Sequence, residues 1–141
     1  MIDYRIVQPG VDLPIDEYRD LYTRAFPEYD EAQVPSRVLL GIDGDRVLGF
    51  LSGHLHDRHT FYVQHIGFCV PQLEGRWELY LGGLQALHQY GYRYLLGAID
   101  ASNTRALVWG LESGFRIIGT RQATSGVLYV EVIRDGETAD R

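Results

Sequence analysis

The chain has 141 residues, 45% of them hydrophobic and 23% charged, enough apolar material for the core of one domain. A formal net charge of −6 argues against a nucleic-acid partner, because neutralising phosphates needs a basic face. The single cysteine, Cys69, excludes an internal disulfide and a cysteine-built zinc site, and no apolar run approaches the ~20 residues of a membrane span.

Tyr4-Arg-Ile-Val7 reads as a first strand, stopped by Pro9-Gly10. Asp16 is placed to cap a helix over about 16–26. Within it Tyr18, Leu21, Tyr22, Ala25 and Phe26 form one apolar stripe, and Pro27 ends it. A short helix is expected over 28–36. Strands follow at Val38–Ile42 and Arg46–His54, with Asp43-Gly44 as a hairpin signal between them. A third strand of this group runs from Thr60 to Val70, and Pro71 closes it because proline cannot donate to a ladder. Trp77–Tyr90 is a helix with Gly91 at its stop. Tyr94-Leu-Leu-Gly-Ala-Ile99 is too apolar for a half-exposed strand and belongs in the sheet interior. A helix over 103–112 precedes the last two strands, Phe115–Ile118 and Val127–Ile133, joined around Ser125-Gly126. The fold class is therefore α/β, a central mixed sheet with helices on both faces. Residues 1–134 form the domain and 135–141 a flexible tail. The N-terminus Met1-Ile-Asp-Tyr-Arg5 has no charged n-region or long apolar h-region, so a cytoplasmic protein is expected.

The stretch Asn103-Thr-Arg-Ala106, followed by Ser113-Gly114-Phe115, resembles the second half of the GNAT N-acetyltransferase superfamily. In that family an Asn, and an Ala three residues on, open a helix that ends in Gly-Phe. The element order is also the family's, with the specific part at about 66–120. The resemblance implies a mostly antiparallel mixed sheet with a splayed strand pair and acetyl-CoA bound in the gap. It puts the pantetheine along Phe68, Cys69 and Val70, and the diphosphate on the start of the following helix, around Gln72, Gly75, Arg76 and Trp77. Asn103 is implied to reach the pantetheine arm. It implies direct transfer to an amine, a small molecule or a protein, by a monomer or homodimer, and the acidic balance suits a cationic acceptor.

Several family positions hold other residues. The phosphate loop's best local match, Gln72-Leu-Glu-Gly75-Arg-Trp77, ends in Trp where the family has a small residue. An ungapped placement puts Glu78 and Tyr80 on the two glycines. The family's acidic Tyr falls on Gly110, and its basic Glu on Gln64. His65 and Tyr62 are the remaining candidate catalytic groups, with His65 expected on the face opposite Gln64. A slow enzyme whose protons are carried by solvent is the expectation if neither acts. The other function compatible with these departures is a degenerate member that works as a binding module or regulator of another protein. His54, His56 and His65, with His59 close by, admit a metal reading, but His54 and His56 lack a third ligand on their face, and solvated or core histidines are favoured. Cys69 reads as a buried small residue with no activating neighbour. Gly82-Gly83 reads as close helix–sheet packing.

Overall fold

In the computed structural model, residues 1–28 and 34–139 are described. They form β1 (Asp3–Val7), α1 (Ile15–Ala25), β2 (Arg37–Asp43), β3 (Arg46–Asp57) and β4 (Thr60–Phe68), then α2 (Arg76–Gln89), β5 (Tyr94–Asp100), α3 (Thr104–Glu112), β6 (Arg116–Gln122) and β7 (Leu128–Asp135). The helix expected over 28–36 falls largely outside the described residues. The seven strands make one sheet in the order β1-β2-β3-β4-β5-β7-β6. Every neighbouring pair is antiparallel except β4 and β5, which α2 connects as a parallel crossover.

Two apolar clusters lie on opposite faces of this sheet, because strand side chains alternate. Tyr18, Leu21 and Tyr22 of α1 pack with Val38, Leu40 and Phe50. Leu84 and Leu87 of α2 pack with Leu39, Leu51 and Phe61. Trp109 of α3 joins the second cluster, so α2 and α3 share a face and α1 takes the other. The glycine pair in α2 is what lets that helix lie so low. A Cβ on Gly82 would meet the Tyr4 hydroxyl at 2.4 Å, and one on Gly83 would meet Leu51 Cδ1 at 2.9 Å.

The two crossover helices end in the same way. Past α2, Gly91 (φ +114°) lets its own N–H reach His88 O and the Tyr92 N–H reach Leu87 O. Past α3, Gly114 (φ +103°) does the same, with Gly114 N–H to Leu111 O and Phe115 N–H to Gly110 O. The Gly-Phe pair of the sequence is thus a helix stop whose next residue turns into the core, where Phe115 is buried.

Some boundaries differ from expectation. Helix α1 begins after Pro14, and Asp16 sits inside its first turn with no side-chain cap bond at the N-cap. The β2–β3 turn is centred on Gly44-Asp45, since Asp43 pairs with Arg46. Strand β4 stops at Phe68, although Cys69 N–H still reaches Leu48 O. Within residues 135–139, β7 runs to Asp135, Gly136 N–H donates to Arg93 O, and Ala139 N–H to Asp135 O.

The sheet's outer edges are unlike each other. On β1, the Tyr90 hydroxyl accepts from Ile6 N–H and donates to Tyr4 O, each at 3.3 Å. On β6, every residue but Gly119 is exposed, Ile117 and Ile118 among them, and the ladder is irregular between Ile117 and Gly119.

Candidate functional site

The centre of the sheet is open. Strands β4 and β5 pair only through Thr60–Tyr94, Phe61–Leu95 and Tyr62–Leu96. Beyond Tyr62, β4 keeps its ladder to β3 up to Phe68 but has none to β5. A local irregularity marks the divergence: Ser52 faces His65 and Gly53 faces Val63, so Gln64 is an extra residue on β4. A strand with one unpaired side presents backbone donors and acceptors to any extended chain laid beside it.

The gap is a cleft of about 550 Å³. Its walls are Gln64, Ile66 and Phe68 of β4 facing Gly97, Ala98 and Ile99 of β5. On the α3 side its floor is Tyr80, Trp109, Gly110 and Phe115, and on the α1 side it reaches Phe26 and His65. Because its lining comes from both faces, the cleft passes through the sheet. This also explains why β5 is less buried than its apolar run implies. It sits between β4 and β7 as expected, yet only Leu95 is fully covered, because one flank lies along the gap.

Both crossover helices begin at this gap: Arg76 of α2 and Asn103, Arg105 and Ala106 at the start of α3 line it. Helix α3 is capped: Asn103 Oδ1 accepts from Ala106 N–H at 3.1 Å. Just before it, Asp100 accepts from the backbone N–H and hydroxyl of Ser102, first of which holds its carboxyl below the usual range. Helix α2 has Gly75 at its N-cap (φ +75°) and no side-chain cap. Its own Glu78 carboxylate leans over that start: a Cβ on Gly75 would come 3.5 Å from Glu78 Oε2. Two cations, Arg76 and Arg105, line the cleft from the first turns of α2 and α3. The Arg76 guanidinium lies 5.0 Å from the centre of the Phe68 ring.

The expected site residues divide into those that meet in the cleft and those that do not. Phe68, Arg76, Asn103 and His65 all line it. His65 is half-buried against Tyr22 and Phe26, with ring centres 5.3 and 5.9 Å away, and burial lowers its pKa. Tyr62 lies outside, in the paired part of β4, stacked on His54 at 5.0 Å. Cys69 is directed to the α1 cluster, its thiol on Leu21 O, and burial pushes it up to about 11, out of reach as a nucleophile. Val70, Gln72 and Gly75 lie in the loop before α2 and are not among the cleft residues. Trp77 turns inward against Tyr80 and Trp109, at 5.7 and 5.5 Å, so its bulk fills the core next to the helix start and does not cover it. Sequence reading missed Phe26, Tyr80 and Arg105 as cleft residues. Phe26 carried only the signal of helical apolar spacing, Tyr80 that of a phosphate-loop glycine position, and Arg105 stood unremarked inside the Asn103–Ala106 motif.

No protein-family model matches the chain, and no curated protein sequence does. Solved structures do. A probable GNAT-family acetyltransferase from Chromobacterium violaceum superposes with a TM-score of 0.71 at 15% identity, over 99% of this chain and 90% of that one. An N-acetyltransferase from Staphylococcus aureus Mu50 gives 0.70 at 16% identity, over 98% and 99%. A GNAT-family acetyltransferase from Elizabethkingia anophelis with acetyl-CoA bound gives 0.68 at 17% identity, over 95% and 97%. The splayed β4–β5 pair, with both crossover helices starting at the gap, is thus set in the fold of the GNAT acetyltransferases.

Proposed function

We propose that the chain is an acetyl-CoA-dependent N-acetyltransferase that transfers directly to an amine. The observation that carries this reading is the β4–β5 splay: three paired residues, then an open cleft with two helix starts at its mouth. Acetyl-CoA, as co-substrate, supplies the acyl group. The residues present fit it in kind. The unpaired side of β4 beside Ile66 and Phe68 offers backbone to an amide-bearing arm. Arg76, Arg105 and the uncapped first turn of α2 offer positive potential to a diphosphate. Trp109 and Phe115 keep water from the inner end of the cleft, where charge–dipole interactions are strengthened.

His65 stands at the opposite, α1 end of the same cleft. Burial disfavours its charged form, so it is neutral near pH 7 and able to take a proton from an arriving amine. Orientation of two bound molecules in one channel supplies the larger share of the rate.

The test is calorimetric titration with acetyl-CoA and with CoA, followed by thiol-release assays over a set of amines and N-terminal peptides. The expected Kd is micromolar or weaker, about −8 kcal/mol or less favourable, because Glu78 opposes the diphosphate. Binding with thiol release supports the enzyme. The second reading, a binding module that has lost acyl transfer, is favoured by one observation, the Glu78 carboxylate over the α2 start. It prevails if neither ligand binds at millimolar concentration.

A further inference from the structure

The cleft has two mouths of different chemistry. Ile99 packs with the α2–α3 cluster, so Ala98 and Asp100, on either side of it along β5, point to the α1 side. They stand on the wall opposite His65, and Phe26 lies beside His65. The cleft's two arginines, Arg76 and Arg105, belong to the other mouth, in the first turns of α2 and α3. Among the described residues that line the cleft, Asp100 is the one carboxylate. Ser102 donates to it through its N–H at 2.9 Å and its hydroxyl at 2.7 Å, which keeps it ionised at neutral pH. Phe26 is fixed from behind. It closes α1, with its N–H on Tyr22 O at 2.8 Å and its ring centre 4.9 Å from Tyr22 and 6.4 Å from Phe50. The residue is half-buried, packed on the α1 cluster and bordering the cleft. Ala98, on the facing wall, projects only a methyl group.

Resting on the acyltransferase reading, we infer that the α1 mouth selects an acceptor amine whose neighbouring group is apolar, aromatic above all, and that Phe26 is the residue that reads this group. The charges set the direction of entry. An acceptor arrives as an ammonium, is drawn to the mouth that holds the carboxylate, and is repelled by the arginine mouth, which suits the diphosphate. With the nitrogen between the Asp100 wall and His65, the acceptor's side group lies against the Phe26 ring. An apolar group there leaves water, and an aromatic one also gains from ring–ring contact. A hydroxylated or charged group gains no partner from the ring and loses hydration. Selection by a preformed ring, with no hydrogen-bonding socket, gives a graded preference among apolar groups and not an all-or-none one.

The experiment measures kcat/KM by thiol release from acetyl-CoA with two matched pairs of acceptors. One pair is phenethylamine and ethanolamine; the other is a tripeptide beginning with phenylalanine and one beginning with serine. The first pair presents the apolar group on a free amine, the second on a chain end. The full chain is compared with Phe26→Ala and Phe26→Leu. The unaltered chain should prefer the aromatic member of at least one pair by about 10-fold. Phe26→Ala should lose most of that ratio, through a higher KM for the aromatic acceptor. Phe26→Leu, which keeps an apolar wall and removes the ring, should lose an intermediate part, and it carries the test if the alanine variant does not fold. Calorimetric titration with CoA should give the same Kd in all three chains, which separates a lost acceptor contact from a damaged fold. Equal kcat/KM within both pairs, or a ratio unmoved in both variants, overturns the role of Phe26 and leaves the acyltransferase reading standing. Absence of thiol release with every amine tried overturns both.

Discussion

Helices α2 and α3 end alike and begin differently. At their C-termini the same device, a left-handed glycine followed by a residue that turns into the core, closes both. At their N-termini, which face the same cleft, α3 is capped by its own Asn103 while α2 carries no cap and has Glu78 folded over it. The stops are set by local backbone demand and have one good solution. The starts are set by what must come to them. An amide turn already satisfied by a side chain is a rigid wall, whereas one left unsatisfied is a binding surface.

Trp109 is the link between these two starts, touching Phe68, Trp77 and Tyr80 with ring centres at 6.1, 5.5 and 5.3 Å. Trp109→Ala should have the largest effect, a loss of about 3 kcal/mol in chemical denaturation, with both helices destabilised together. If hydrogen exchange shows α3 loosened and α2 unchanged, the two starts are not coupled. Asn103→Ala should cost about 1 kcal/mol by losing the Ala106 N–H partner, and Asn103→Asp should restore it. Equal stability of both variants would mean that the cap bond contributes nothing. Glu78→Gln should have the smallest effect and the most telling sign. Stability falls by up to about 0.5 kcal/mol as a helix-start anion is lost, while CoA binding tightens about two- to fivefold. Loss of binding on that change would reverse the role given to Glu78.

The features legible in sequence were those that a few adjacent residues decide. Asn103 with Ala106 fixed a helix start, Gly91 and Gly114 fixed two stops, and Pro71 fixed the exit from β4 to within three residues. The family resemblance carried by these residues and by the element order then implied the splay. What could not be read was which side chains the splay would gather. Tyr80 and Ser113 are 33 residues apart and meet only because α2 and α3 pack on one face. Trp77 stands where the family has a small residue at the phosphate loop, but on α2 it packs against Tyr80 and Trp109. Tyr62 and His65, three residues apart on β4, are divided by where β5 departs: one lies in the paired part and the other beside the gap. Strand β6 was read only to Ile118, since Gly119 to Gln122 lies at an edge, and no buried face there imposes an alternating pattern.

That edge has a consequence for self-association. A β-sheet grows by adding strands to whatever rim still shows unpaired backbone. Of the two outer rims, the one at β1 is met by the Tyr90 phenol at Ile6 and Tyr4, and the one at β6 has no such cover among the described residues. Joining the β6 rim of one copy to the β1 rim of another would have to displace that phenol. Two copies joined at β6 would each consume the other's open rim and leave none for a third, so strand addition through the outer rims halts at a closed pair.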